Sequence, residues 1–519
     1  MKIHIQGGRL IDPAANVDAE QDLYIAAGKI VGVGRAPADF HANKTIDARG
    51  MIVCPGLVDL SARLREPGYE YKATLESELA AATAGGVTSL VCPPDTDPVL
   101  DEPGLVEMLK FRAHKLNQTH VYPLGALTVG LKGDALTEMG QLTEAGCVGF
   151  SQAEAPIHDT KVLQRAMQYA QTFGFTLWLR PEDPFLGGGV AASGAVASRL
   201  GLSGVSVIAE TVRLHTIFEL IRATGARVHL CRLSSAAGLE LVRQARKEGL
   251  PVTCDVNIHH VSLTDMDIGF FNSQMRFTPP LRGARDRDAI VAALADGTID
   301  ALCSDHTPVD DDEKLLPFAE ASPGATGLEL LLPLTLRWAS EHKVPLVRAL
   351  ARITSEPARV IGLNAGSLTT GSMADVCVFD PKQLWKVERS VLKSQGKNSP
   401  WLGYEMEGRV RTTLVCGPGR LRAALTGRAP SRQHGVDDDL VTQGAAGISL
   451  AAWDAVLCHC LSVGERASAR TSDPSMVPQA PGHLRHRGGS LGPGARAGGP
   501  QRRNAGVEPY LVARHLCHP

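Results

Sequence analysis

"PGLVDLSARLREPG", residues 55–68, is the stretch on which the reading of the fold turns. It begins as an apolar run interrupted only by Asp59, as a strand buried on both faces does, and it ends in a polar loop that Pro67-Gly68 closes. Seven more runs of the same kind follow it: "VTSLVCPP", "THVYPLGAL", "GCVGFSQ", "FTLWLRPED", "ARVHLCRLSS", "LPVTCDVNIHH" and "DALCSDHTP". Amphipathic stretches separate several of them. "TLESELAAATAGG" (74–86) opens on Thr74 as an N-cap and stops at Gly85-Gly86, and "SSAAGLELVRQARKEGL" (234–250) follows the same grammar. Strand and helix in alternation predict an α/β fold, a (β/α)8 TIM barrel over residues 54–362, with its working end at the C-terminal tips of the strands.

Both flanks of the barrel read as short strands. Residues 1–53 carry "KIHIQGGRLIDP" and "DLYIAAGKIVGVG", in which Ala27-Gly28 marks a hairpin, and then "KTIDARGMIVCPG". Residues 363–420 carry "GSLTTGSMADVCVFDP", "WKVERSVLKS" and "GRVRTTLVCGPGR". The two flanks are expected to build one small β-sandwich-like domain. Residues 421–519 differ: they contain no Lys, much Arg, Gly, Pro and Ala, and little periodicity. They read as disordered, or as an artefact of GC-rich DNA translated out of frame, with a short helix over 449–461. "CHC" at 458–460 has no second ligand pair at metal-binding spacing.

Composition narrows the function classes. The chain has 519 residues, is 44% hydrophobic and 21% charged, and carries a net charge of −2. That balance gives no electrostatic case for nucleic acid or a membrane surface. Apolar runs such as "LELLLPL" (328–334) are too short to span a bilayer, and the N-terminus lacks a signal-peptide core. Several of the eleven cysteines sit inside strand-like runs and none forms a CxxC, which suits a reducing cytoplasm.

Four ordered words, "PGLVDLSARLREPGYEY", "AAATAGGVTSLVCPPDTDPV", "TPPLRGARDRDAIVAALADGTIDALCSDHTP" and "GATGLELLLPL", make residues 1–420 resemble the dihydroorotase family of cyclic amidohydrolases. Active members of that family hold zinc at the top of the barrel. The resemblance implies that its ligand positions fall here on Ser61 and Arg63 (a His-x-His word), Ala153 (the Asp of an SDDG word), Arg180, Arg232 and Asp305. Of these Asp305 alone keeps the family residue, as a vestige of the catalytic shell. Neither arginine nor alanine offers zinc a lone pair, so no zinc or other cofactor is expected. Substrate positions are altered too. Arg65 matches the family arginine that pairs with the dihydroorotate carboxylate, but the two family asparagines become Asp95 and Thr278, and the last histidine of strand eight becomes Val309.

The three arginines are expected to form a paired network with Asp305, Asp95 and Glu182; the alternative is that Arg63 and Arg180 point to solvent. His229, His259 and His260 read as packed core residues, and His306 as a residue that orients Asp305. Glu182-Asp183 alternate across a strand, "GGG" (187–189) reads as a flexible turn, and "DDDE" (310–313) reads as a solvated loop. Within the resemblance, ligand-stripped relatives are structural partners of the aspartate transcarbamoylase catalytic chain. A non-catalytic subunit of pyrimidine biosynthesis, assembled in homo- and hetero-oligomers, is therefore the first reading. The alternatives are a zinc-independent or rebuilt cyclic amidohydrolase using Asp305, and a scaffold like the dihydropyrimidinase-related proteins.

Overall fold

The computed structural model describes residues 1–417 and the backbone of residues 420–425. Eight parallel strands form the barrel: β1 (Leu57–Asp59), β2 (Val87–Cys92), β3 (His120–Pro123, resumed at Gly125–Ala126), β4 (Phe150–Ser151), β5 (Thr176–Leu179), β6 (Arg227–Leu230), β7 (Val252–Asn257) and β8 (Ala301–Cys303). Their apolar runs fit this place, because helices cover one face and the barrel interior covers the other; all six residues of β2 are buried. Closure is made just beyond the ends of β1 and β8. The His306 amide donates to Ser61 O at 3.1 Å, and the Arg63 amide donates to His306 O at 2.8 Å. Asp59 reinforces the seam by accepting the Ser304 amide at 2.8 Å and the Ser304 hydroxyl.

A long helix follows almost every strand, from Leu75–Ala84 after β1 to Leu331–Glu341 after β8. Thr74 caps the first of them in a capping box with Ser77, and Ser235 caps Ala236–Lys247 by accepting the Gly238 amide at 3.0 Å. Leu79, Leu109, Met167, Ile217, Leu239 and Leu334 turn inward and share one continuous apolar core with the strands.

The flanks interleave. A six-stranded sheet runs, in spatial order, Arg420–Leu425, Glu405–Gly417, Val376–Lys386, Ile52–Pro55, Arg9–Asp12, Val17–Glu20, so both ends of the chain contribute to it. A four-stranded sheet (Lys2–Gln6, Leu23–Ala26, Lys29–Val33, Lys44–Asp47) packs on it through Ile3, Ile5, Ile25, Val53, Val376 and Leu414. The architecture is therefore an α/β fold, a (β/α)8 barrel carrying a β-sandwich.

Three details depart from the sequence reading. The apolar run "MIVCPGLVDLSARL" (51–64), expected as one strand, is two: Ile52–Pro55 belongs to the sandwich and Leu57–Asp59 to the barrel. Gly56 makes the joint, since a β-carbon there would lie 2.1 Å from the Thr88 hydroxyl oxygen. "WKVERSVLKS" leaves the sheet after Lys386, because two carboxylates capture its backbone amides: Lys393 and Ser394 donate to Glu329, and Gln395 to Glu78. Past residue 420 the chain still pairs with the sheet, through Leu425. The helix expected over 449–461 and the "CHC" word lie outside the described residues.

Barrel and sandwich are tied by His120, whose Nε2 lies 3.2 Å from Asp375 Oδ2; Asp375 also accepts the Cys416 amide at 2.8 Å. Burial alone would lower the His120 imidazole, but the hydrogen bond and charge of Asp375 outweigh it and raise it above its ordinary value. A raised histidine adds stability that is complete below the unfolded value of about 6.5 and is lost as pH rises through the folded value. Thermal melts of the wild type are thus expected to lose stability above about pH 6.5, and His120→Gln to flatten that slope. An unchanged slope in the variant would remove the pair from the balance.

Candidate functional site

Side chains from the tips of seven strands converge at the barrel mouth. Arg63, two residues past Ser61, is buried and uses all three of its nitrogens. Nε donates to Asp95 at 2.8 Å, Nη2 to Glu154 Oε1 at 2.9 Å, and Nη1 to Thr307 Oγ1 at 3.0 Å, with Asp305 at 3.5 Å. Arg232 Nη1 lies 2.5 Å from Glu154 Oε1 and donates to Asp305 Oδ1 at 3.1 Å. Arg180 Nε stands 2.6 Å from Glu154 Oε2, close but out of line for a hydrogen bond, while its terminal nitrogens grip Glu182. Ser61 Oγ is 3.3 Å from Asp305 Oδ1, and Asn257 donates to Asp305 Oδ2 at 2.9 Å.

Glu154 is the hub. Burial would push its carboxyl up, but Arg232, Arg180 and Arg63 outweigh burial and hold it well below the usual carboxylate range. Asp305 moves the other way: burial raises it, and Glu154 adds to that, against the pull of Arg232 and Arg63. The guanidiniums shift upward despite their burial, Arg63 through Asp95 and Glu154, Arg232 through Glu154 and Asp305. Behind this layer a second one fixes the backbone. Asp255 accepts the Arg232 amide at 2.6 Å and is itself held by His229 Nε2 at 3.0 Å.

The strand tips are strained into place. Arg65, Ala153, Arg232 and Asp305 all have left-handed backbones, with φ of 63°, 49°, 54° and 45°. In a non-glycine residue this costs about 1 kcal/mol or more. Ala153 is buried and has no polar side-chain atom, and Glu154 directly after it meets the arginines of the mouth.

The ion pairs in the mouth thus join Arg63, Arg180, Arg232, Asp305, Asp95 and Glu182, and Glu154 joins them as the centre. Arg63 and Arg180 do not point to solvent. Arg65 Nε donates to Pro308 O at 2.8 Å and Thr278 stands on the same rim; both line a cavity of about 260 Å³ with Arg63, Asp95 and Lys72. Val309 is buried, its amide donating to Asn398 at 3.0 Å. His306 does not orient the Asp305 carboxylate. It faces the opposite way, accepting the Gly327 amide on Nδ1 at 3.1 Å, so that Nε2 carries the proton given to Glu78. His259 and His260 are core residues, and burial lowers them to about 3 and about 4. Of "DDDE", Asp310 caps a short helix and Glu313 pairs with Lys72.

These residues do not fit zinc. The positions that the resemblance assigns to zinc hold a serine, three guanidiniums and an alanine beside Asp305, and the carboxylates there are already engaged by arginine. Among the described residues no group of three or more His, Cys, Asp or Glu side chains is placed to hold a metal ion. What the arrangement supplies is a fixed positive centre neutralised by carboxylates.

Removing the hub tests the network. A buried pair broken on one side typically costs about 3–5 kcal/mol, and a third of Glu154 is exposed, so Glu154→Gln is expected to cost about 2 kcal/mol. Urea unfolding midpoints read the difference; a cost below about 0.5 kcal/mol would mean solvent already screens these charges.

Residues 50–237 match the family model described as dihydro-orotase-like, and residues 205–421 match the amidohydrolase family. The chain is 46% identical over 418 residues to a dihydroorotase-like protein of Pseudomonas aeruginosa, covering 80% of this chain and 99% of that one. It is 44% identical to a dihydroorotase-like protein of Pseudomonas putida (80% and 98%) and 40% identical to a dihydroorotase of Geobacter sp. (80% and 98%). Among solved structures, the L-hydantoinase (dihydropyrimidinase) of Arthrobacter aurescens superposes with a TM-score of 0.73 at 24% identity, over 83% of this chain and 97% of that one.

Proposed function

The chain belongs to the dihydroorotase family of cyclic amidohydrolases, and from that premise we propose that it is a non-catalytic member, a structural partner of the aspartate transcarbamoylase catalytic chain in pyrimidine biosynthesis. One observation carries the reading: a guanidinium network stands where the family resemblance puts zinc ligands, and its charges are mutually paired. Hydrolysing a cyclic amide requires a nucleophilic water and a polarised carbonyl. Here Asp305, the family carboxylate that remains, already accepts from Asn257, Ser61 and Arg232. A single acid or base supplies about 10²–10⁴-fold, too little for this reaction. The two Pseudomonas relatives, themselves named dihydroorotase-like rather than dihydroorotase, support the same view.

In this reading the network keeps the barrel shape that zinc would otherwise help to hold, and shape is what a structural subunit contributes. The protein then acts in the cytoplasm, in homo- and hetero-oligomers, without a cofactor. The test is to express the full chain alone and together with a transcarbamoylase catalytic chain from the same source. Sizing fractions are assayed for both activities and for zinc. A large co-eluting complex with transferase activity, no dihydroorotase activity and no zinc is expected. Dihydroorotate turnover with zinc near one per chain would overturn the proposal.

A further inference from the structure

Two charges that face the barrel mouth are left over from its ion-pair network. In the cavity of about 260 Å³ there, Lys72 is met by Glu313, and Arg63 and Arg232 are met by Glu154 and Asp305. Arg65 is not met. Its side chain makes one hydrogen bond, from Nε to the neutral Pro308 carbonyl, and among the described residues no carboxylate pairs with it. Both terminal nitrogens of this half-buried guanidinium stand without a protein acceptor. Burial and the Arg63 charge pull Arg65 below its ordinary value, as expected of a cation that has lost water without gaining a counter-charge in contact.

The second is Asp95. Arg63 Nε holds its Oδ2 at 2.8 Å, while its Oδ1 has no hydrogen-bond partner among the described residues. Its side chain is 24% exposed and lines the same cavity. Thr278 lines it too, and the Thr278 hydroxyl likewise makes no hydrogen bond among the described residues. One cation, one carboxylate oxygen and one hydroxyl thus share a cavity with donors and acceptors unengaged. The Asp95 charge acts on Arg65 across this space, without an ion pair between them.

Charge decides what fits. A carboxylate brought to Arg65 stands near the acid Asp95, so a plain anion gains one attraction and meets one repulsion. A plain amine meets the reverse. A molecule of zero net charge, with both poles on neighbouring atoms, satisfies the two residues together through charge-assisted hydrogen bonds. The other ions of the lining are already matched, so they add no surplus favouring either sign. The cavity is also smaller than the roughly 300–1,000 Å³ of drug-sized pockets, which suits a small zwitterion.

We propose that this cavity binds a free α-amino acid, its carboxylate on the Arg65 fork, its ammonium on Asp95 Oδ1, and the Thr278 hydroxyl as a third contact. The site calls for binding without chemistry, so it goes beyond the structural-subunit reading and does not rest on it. A cyclic amide that bears a carboxylate lacks the ammonium and is disfavoured by the same pair.

The test is calorimetric titration of the full chain with glycine, L-alanine and L-aspartate. Whichever binds is then compared with its N-acetyl derivative, which has no ammonium, and its amide, which has no α-carboxylate. Each derivative is expected to bind at least about 10-fold more weakly, because each loses one charge-assisted contact. Asp95→Asn is expected to let the N-acetyl derivative bind as well as the amino acid, and Arg65→Gln to abolish binding of both. The comparison of derivatives needs no variant and so decides the matter if Asp95→Asn misfolds. Thr278→Val removes no ion pair and is expected to weaken the amino acid about 3-fold. Binding by none of the three amino acids, or equal binding of the amino acid and its N-acetyl derivative to the wild type, overturns the proposal. Neither result bears on the transferase reading, which co-elution judges.

Discussion

Glu154 lies 2.9 Å from Arg63, 2.6 Å from Arg180 and 2.5 Å from Arg232, and the rest of the barrel mouth depends on it. Arginine keeps its proton at any physiological pH, so three guanidiniums in a half-buried space either find counter-charges or force the strands apart. At an effective dielectric of about 20 a unit pair 4 Å apart gains about 4 kcal/mol, while each buried ion forfeits several kcal/mol of hydration. The sum is close to balance. Such a network holds the fold little more firmly than an apolar plug would, yet losing any one member leaves an uncompensated charge. That asymmetry ties the positions together: once arginine stands at 63, 180 and 232, an acid must stand at 154.

Backbone geometry makes the acid available. The barrel closes at β1 and β8 through buried Asp59 and Ser304 and the amide ladder from Ser61 to His306. Above that seam Arg65, Ala153, Arg232 and Asp305 take left-handed backbones that turn the chain. Ala153 is the clearest case. Its small side chain accepts the strained φ, and the position after it reaches the axis. Burial also holds Asp59 up at about 6, against the hydrogen bonds from Ser304. Glu154, in the layer above, is shifted the opposite way, downward, by its three arginines.

The barrel was legible because its strands are continuous apolar runs with helices of ordinary capping between them, and both signals are local. The joint at Gly56 was less so, since an apolar run does not say where a strand changes sheet; only the approach of Thr88 requires glycine there. Arg63, Arg180, Arg232, Asp95 and Asp305 could be named from the sequence because each stands at a position of a word that resembles the dihydroorotase family's. Glu154 could not be given its role, though it sits one residue from a named position. Its reach depends on φ at Ala153, which no pattern of residue types encodes. His306 was misjudged because its imidazole is held away from the Asp305 carboxylate, between Glu78 and the Gly327 amide. Asn257 and Asn398 gave no signal at all, because a single side-chain amide is chemically silent until its partners are placed.

A metal centre and a guanidinium centre differ in one respect that bears on what this protein can be. A zinc site is loaded and emptied by pH, by chelation and by supply, and its ligands must be deprotonated to bind. A guanidinium is carried by the chain itself and keeps its charge wherever the chain goes. Substituting one for the other removes the Lewis acid and the acidified water, and with them the chemistry those groups supply. It also removes the dependence of the folded mouth on metal. A subunit whose contribution is a surface gains from that exchange, since its shape is then the same in every metal condition the cell meets.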